Sequence, residues 1–595
     1  MPASLALLLN EYDLSLSLPS LSLPQIDLTH IEAEWRRLIS SIPEPWKLNN
    51  DGREFEVGEI MRKRGLTAHY PVVLVPGVIS TALESWSTSP EYRDTFRRKI
   101  WGGFGMLSQV TFNREKWMAA IMLDPVTGID PPGVKVRAAE GLDAASSFIQ
   151  GYWVWSKIIE NLAVVNYDTN NMQLAPYDWR LSMSNLEERD AYFSKLKSTI
   201  EGFKKKQSRK TVVVSHSMGS TVGFFLKWVE SPQHGGSDAA WVENHIEAWI
   251  SVAGTHLAKA MTAFLSGEMK DTVQMNPAGE YVLERFFSKK ERRKLFRSWA
   301  GSASMWVKGG DAIWGNSTFA PDDEDGCAHS HGELIAFREG IDARNPPNPL
   351  AVPSNLTASQ AGTWILEHTP TTFQRMMETN YSNGIERDYA QLVRNDLDHR
   401  KWTNPLEVRL PNAPSMKIFC IYGHGKETER SYWYKAGRYT HEEISADAAG
   451  VVCSGDADCG GQTPKPPLDM PFSRDNAIDK DFTNEDIIPK IRNGVKMGEG
   501  DGTVSLLSLG AMCVGGWKHA RWNPAGIKIT TVELPHQPIP TIPRGGANTS
   551  DHVDILGSSG LNEAIVKVVT GVGDEVESHY VSRIREYAAR IDWDG

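Results

Sequence analysis

Five cysteines in 595 residues are too few for a disulfide-built scaffold and too scattered for a zinc ribbon. No stretch reaches the ~18–20 uncharged apolar residues that a transmembrane helix requires. The N-terminal segment MPASLALLLNEYDLSLSLPSLSLP begins apolar, but Glu11 and Asp13 interrupt it and no basic segment leads it. It therefore reads as neither a signal peptide nor an anchor. Basic blocks are missing too, and the net charge is −11. That balance excludes nucleic acid as a partner. There is no internal repeat, and low-complexity sequence is confined to the Ser/Leu-rich N-terminus.

What is present is a globular composition, 41% hydrophobic and 23% charged, on a chain longer than one ordinary domain needs. Twenty tryptophans are many for this length, and most serve as core filling, although Trp also suits lipid interfaces. Short apolar runs bounded by turn formers predict buried parallel strands at Pro71–Pro76, Thr211–Ser215, Ala248–Ala253 and Ile418–Tyr422. A helical stretch at Thr221–Glu230 follows the second of them directly. Strand–turn–helix units in series predict an α/β fold with a mostly parallel sheet. Residues 1–50 read as an extension carrying one amphipathic helix near Ile26–Ser41. Residues 51–260 read as the first half of the core, 261–414 as an inserted cap, and 415–595 as the second half.

The sharpest local signal is Ser215-His216-Ser217-Met218-Gly219, between an apolar strand and a helix. In a nucleophile elbow the serine sits on a sharp turn that lifts its hydroxyl above the sheet edge. The positions two before and two after must be small, so that strand and helix can approach. Gly219 meets that demand, and Ser215 stands where glycine is usual. An elbow of the α/β-hydrolase type needs an acid and then a histidine further along the chain. Asp501, in Gly500-Asp501-Gly502, and His552, in Ser550-Asp551-His552, follow in that order. His552 would act as general base and acid on Ser217, while Asp501 would fix its tautomer. The oxyanion needs two backbone N–H donors. The residue after the nucleophile, Met218, supplies one, and the loop beginning Pro76-Gly77-Val78-Ile79 suits the other.

These residues belong to a longer series of blocks: PVVLVPGVISTALESWS from Pro71, LDPVTGIDPPGVKVRAAEGLDAA from Leu123, APYDWRLS from Ala175, VSHSMGS from Val214, GGDAIWGNST from Gly309, YGHGKETERSYWY from Tyr422, MGEGDGTVSLLSLG from Met497 and HVDILG from His552. In kind and order they resemble the lecithin:cholesterol acyltransferase-like enzymes, most closely the phospholipid:diacylglycerol acyltransferases of fungi. The resemblance runs from about residue 45 to the end.

It implies an α/β-hydrolase fold with inserted cap and lid. It also implies a serine enzyme that moves an acyl group from a glycerophospholipid to diacylglycerol without metal or organic cofactor. The family's nucleophile, acid and base fall on Ser217, Asp501 and His552, and its second oxyanion donor falls on Ile79. Segment 79–104 corresponds to the mobile lid, so Trp86 and Trp101 are expected at lipid contacts on a membrane surface. Cys420 and Cys513 fall where relatives have a disulfide, which implies a lumenal or extracellular setting, and the resemblance places the chain on the lumenal side of the endoplasmic reticulum membrane. Related chemistry leaves open a phospholipase A-type hydrolase, a sterol acceptor, or an inactive lipid-binding homologue. Family members carry an N-terminal membrane helix not seen in this chain. After Ala253-Gly254-Thr255 the chain is also shorter than the family's Leu-Gly-Val-Pro-like segment.

Three further features have plainer readings. Cys327, His329 and His331 have metal-ligand character but lack a fourth partner. The acidic run Asp322–Asp325 reads as a solvated loop, and Asp178 with Arg180 as a partly buried, loop-holding ion pair. Cys453 and Cys459 flank a short polar loop across which they can bridge. From the residues alone, Cys420 and Cys513 can pair across a sheet.

Overall fold

The computed structural model describes residues 55–149, 152–258, 289–338, 354–441 and 472–595, together with Phe287. The expected helix at 26–41 and the Cys453/Cys459 pair lie outside them. The centre is a six-stranded sheet built from β1 (Val72–Val75), β2 (Met172–Leu174), β3 (Thr211–His216), β4 (Ile246–Val252), β5 (Lys417–His424) and β6 (Lys528–Pro535). Its order is β6-β5-β4-β3-β1-β2, with every neighbour parallel. The apolar runs form these strands because both faces are covered. Every residue of β1 and β3 is buried, so neither strand has a solvent side on which to place polar residues.

A second sheet, mostly antiparallel, contains Ile335–Phe337, Lys426–His441, Phe472–Ile478, Ile491–Arg492 and Val495–Gly500. Ile335–Phe337 comes from the region expected to be a cap, yet it pairs with Lys426–His441 from the second half of the core. The two regions therefore share a sheet. A third small sheet pairs Leu83–Ser85 with Lys99–Trp101 and Val136–Ala138. Its first two strands fall within segment 79–104.

Two charge readings are corrected. Within the acidic run Asp323 is buried and the Asp322 side chain is only 11% exposed, while Glu324 and Asp325 are solvated as expected. Arg430 grips Asp322 through Nε at 2.7 Å and Nη2 at 2.8 Å, while Asp323 caps the turn before His331. Asp178 and Arg180 are fully buried, not partly so. Arg180 also reaches Asp130 at 2.9 Å, and Arg189 reaches Asp178 at 2.7 Å. Burial alone would raise the Asp178 carboxyl pKa, but Arg180 and Arg189 outweigh it and hold it well below the usual range. Unpaired, any of these charges would be costly there.

Among the described residues seven tryptophans, Trp155, Trp179 and Trp249 included, are less than 2% exposed. Core filling accounts for them. Among the described residues no helix is long and apolar enough to cross a membrane.

Candidate active site

Strand β3 ends at His216, and Ser217 follows in the left-handed region with φ of 55°. A non-glycine residue there costs about 1–3 kcal/mol and persists only where its surroundings over-determine it. They do so here by crowding. A Cβ on Gly219 would lie 2.6 Å from the Val75 carbonyl oxygen and 2.7 Å from that of Pro76. A Cβ on Gly77 would lie 2.9 Å from the Ser217 Cβ. Only glycine lets the two loops come this close. Ser215, the departure from the usual glycine, has a local purpose: its hydroxyl accepts a 2.8 Å hydrogen bond from the buried Trp249 indole on β4.

Three side chains converge on the turn. His552 Nε2 lies 2.8 Å from Ser217 Oγ, and its Nδ1 lies 2.7 Å from Asp501 Oδ2. The other oxygen of Asp501 accepts from the backbone N–H groups of Thr503 and Val504 at 3.0 and 2.7 Å. These bonds fix the carboxylate so that Oδ2 faces the imidazole. The His552 backbone N–H also donates to the Asp501 carbonyl at 3.0 Å, tying the two loops together. All three side chains are buried. Asp501 follows strand Val495–Gly500 of the second sheet, so the acid is delivered from outside the central sheet. His552 precedes the apolar helix Ser559–Val569.

The geometry suits acyl transfer. A histidine donating Nδ1–H to a carboxylate presents a bare Nε2 to the serine hydroxyl, which is the arrangement for general-base attack. Met218 is the second residue of the short 3-10 helix Ser217–Thr221. Ile79 lies in the loop after β1, with φ of 56°. Among the described residues neither the Val78 nor the Ile79 N–H has a protein acceptor.

The two tryptophans of the expected lid differ. Trp86 is half-buried, edge-on to Phe96 and beneath the Arg97 guanidinium. Trp101, also expected at a lipid contact, is here only 6% exposed, packed among Trp117, Trp179, Trp299 and Phe148. Its indole N–H donates to the Ile79 carbonyl at 2.8 Å. Lid position suggested lipid, but the burying partners come from segments distant in sequence.

His216 is a site residue that the sequence reading quoted but gave no role. Its Nε2 donates to the His552 carbonyl at 2.7 Å. Burial, and then the neighbouring His552, push its pKa down to about 3. The signal lay in plain view, a histidine inside the elbow, but its partner stands 336 positions away. In the rim segment, His256 Nε2 bonds Ser251 Oγ at 3.1 Å, and Leu257 N–H donates to Ser508 Oγ at 3.3 Å. The shortened stretch is therefore anchored to the core.

Cys420 and Cys513 are joined in a disulfide with Cα atoms 6.5 Å apart. Among the described residues the one group with metal-ligand proximity is His256 with these two cysteines, whose sulfurs are already bonded to each other. The Cys327–His331 segment does not converge on one point. His331 Nδ1 pairs with Ser431 Oγ at 2.9 Å, and His329 stands edge-on to Trp433.

Comparison with known proteins gives the same direction. The family model described as lecithin:cholesterol acyltransferase matches residues 95–559. A phospholipid:diacylglycerol acyltransferase of Schizosaccharomyces pombe is 42% identical over 546 residues, covering 91% of this chain and 79% of the relative. That of Saccharomyces cerevisiae is 39% identical over 557 residues, covering 91% and 77%. Phospholipid:diacylglycerol acyltransferase 1 of Arabidopsis thaliana is 31% identical over 609 residues, covering 90% and 85%. With a family match over most of its length and a serine–histidine–aspartate array at its centre, the chain belongs to the lecithin:cholesterol acyltransferase family.

Proposed function

We propose that this protein is a phospholipid:diacylglycerol acyltransferase working through an acyl-enzyme on Ser217. The observation that carries the reading is the Ser217–His552–Asp501 array, joined to likeness over nine-tenths of the chain with two fungal enzymes of that name. His552 takes the Ser217 proton as Oγ attacks the phospholipid ester, and the Met218 and Ile79 N–H groups receive the oxyanion. The proton then passes to the lysophospholipid leaving oxygen. In the second half-reaction His552 deprotonates the diacylglycerol hydroxyl, which attacks the acyl-enzyme and releases triacylglycerol. Asp501 stabilises the imidazolium in both halves. No step requires a metal or organic cofactor.

We assign segment 79–104 as a lid and residues 261–414 as an inserted cap region. The enzyme acts at a membrane surface, where both substrates reside. The Cys420–Cys513 disulfide supports the lumenal side of the endoplasmic reticulum, because such bonds persist in oxidising compartments.

The test presents acyl-labelled phosphatidylcholine and diacylglycerol in mixed micelles to the purified protein. Labelled triacylglycerol is expected. Labelled free fatty acid in its place would make the enzyme a phospholipase, and no product at all would favour an inactive lipid-binding homologue.

A further inference from the structure

Two indoles grip the loop that follows β1. Trp101 donates to the carbonyl of Ile79 at 2.8 Å, and Trp179 donates to the carbonyl of Thr81 at 3.0 Å. The two rings meet edge to face with centroids 5.0 Å apart. Trp299 closes on both, at 5.9 Å from Trp101 and 4.8 Å from Trp179. Trp101 itself is held by its strand, where it pairs with Leu83.

The gripped residue is in an unusual state. Ile79 is β-branched, yet it sits in the left-handed region at φ 56°. Crowding between Cβ and the backbone disfavours that region for such a side chain, so an external contact must hold it there. A hydrogen bond to its own carbonyl is such a contact, because it fixes ψ of the same residue.

We propose that Trp101 is a positioning residue for the oxyanion loop: its indole N–H locks Ile79 in the left-handed conformation that aims the Ile79 N–H at the reacting carbonyl. The proposal rests on the reading of Ile79 as an oxyanion donor. Because Trp101 lies near the end of the 79–104 segment and Ile79 at its start, the lid's seating and the donor's aim are one mechanical unit. An enzyme whose lid has left its seat has also lost half its oxyanion hole. A residue doing this contributes to the transition state, whereas a lipid-contacting Trp contributes to substrate binding.

The experiment replaces Trp101 with 3-benzothienylalanine in the full chain, exchanging the indole N–H for sulfur with little change of shape. Trp101→Phe serves as a second variant. Active sites are titrated with a fluorophosphonate, so that misfolded protein does not enter kcat. With a soluble short-chain p-nitrophenyl ester, kcat per titrated site is expected to fall about tenfold while KM stays within about twofold, the signature of a misaimed transition-state contact. The inhibition constant of a trifluoromethyl ketone, whose serine adduct carries the oxyanion, should rise in parallel.

A raised KM with kcat unchanged overturns the proposal and makes Trp101 a substrate contact. A lower titre with wild-type kcat and inhibition constant also overturns it, leaving Trp101 a folding residue. An ester in place of the Ile79 amide separates the two layers of the argument. A lowered kcat there beside an unaffected benzothienyl variant overturns the Trp101 proposal alone. A wild-type kcat there removes the oxyanion reading of Ile79 and the proposal with it.

Discussion

His216 Nε2 donates a 2.7 Å hydrogen bond to the backbone carbonyl of His552, the residue that faces Ser217. A carbonyl only accepts, so His216 carries a proton on Nε2; its Nδ1 is buried without a partner, and burial pushes its pKa down to about 3, so the ring is neutral. Two histidines thus stand side by side, ring centroids 5.0 Å apart, one facing the nucleophile and the other holding its neighbour's backbone.

That neutrality has a consequence for stability. Burial holds His216 at about 3, against 6.5 for an unperturbed imidazole. Between those values the unfolded chain binds a proton that the folded state refuses, so stability falls as pH drops from 6.5 toward 3. The slope from one such group is at most about 1.4 kcal/mol per pH unit. His216→Asn removes the group. Urea unfolding at pH 4.5, 5.5 and 6.5 should show a flatter loss of stability in the variant than in the parent, and parallel slopes would refute the assignment.

Asp501 is held by three donors, with Oδ1 committed to two backbone N–H groups and Oδ2 to His552. Asp501→Asn keeps the shape but presents the imidazole with either a wrong donor or a strained amide. Loss of the correct tautomer should lower kcat about 10⁴-fold with little effect on fluorescence-detected unfolding. A drop below tenfold in steady-state assays would remove Asp501 from the triad.

Gly219 has no room for a methyl group, since two backbone oxygens stand within 2.7 Å of where its Cβ would lie. Backbone cannot step aside as a flexible side chain can. Gly219→Ala should destabilise the fold by about 1–3 kcal/mol and move Ser217 out of line with His552. Thermal melts and fluorophosphonate labelling rates report the two effects separately. Labelling at the parental rate would mean the elbow tolerates the shift.

The disulfide closes a separation of 93 residues between β5 and the helix Leu506–Val514. Bonds across such spans stabilise by about 2–4 kcal/mol. Cys513→Ser, with its partner also replaced to avoid a stray thiol, should lower the unfolding free energy by that amount, read as a drop in the denaturant midpoint. A midpoint unchanged from the parent would show that packing alone holds β5 to that helix.

Elements set by local pattern were legible in the chain. The runs at 72–75 and 211–216 declared themselves because both faces of those strands are covered. The elbow was legible because its constraint is steric and local, two small residues around a serine. The order of Ser217, Asp501 and His552 carried the rest of the array.

What could not be read depends on partners far away in sequence. Asp322 looked solvated because Arg430, which neutralises it, lies 108 positions downstream. Trp101 looked like a lipid contact because its neighbours Trp179 and Trp299 come from separate segments. The pairing of Ile335–Phe337 with Lys426–His441 was equally hidden, since register between remote strands leaves no periodic trace.

The central claim is that Ser217 carries the acyl group between two lipids. Purified protein mixed with phosphatidylcholine but no diacylglycerol, quenched in acid and digested, should yield a Ser217 peptide heavier by one acyl chain. Adding diacylglycerol before the quench should clear that mass and produce triacylglycerol in equal amount. An unmodified Ser217 peptide alongside triacylglycerol formation, or an adduct that clears only to free fatty acid, would contradict the account.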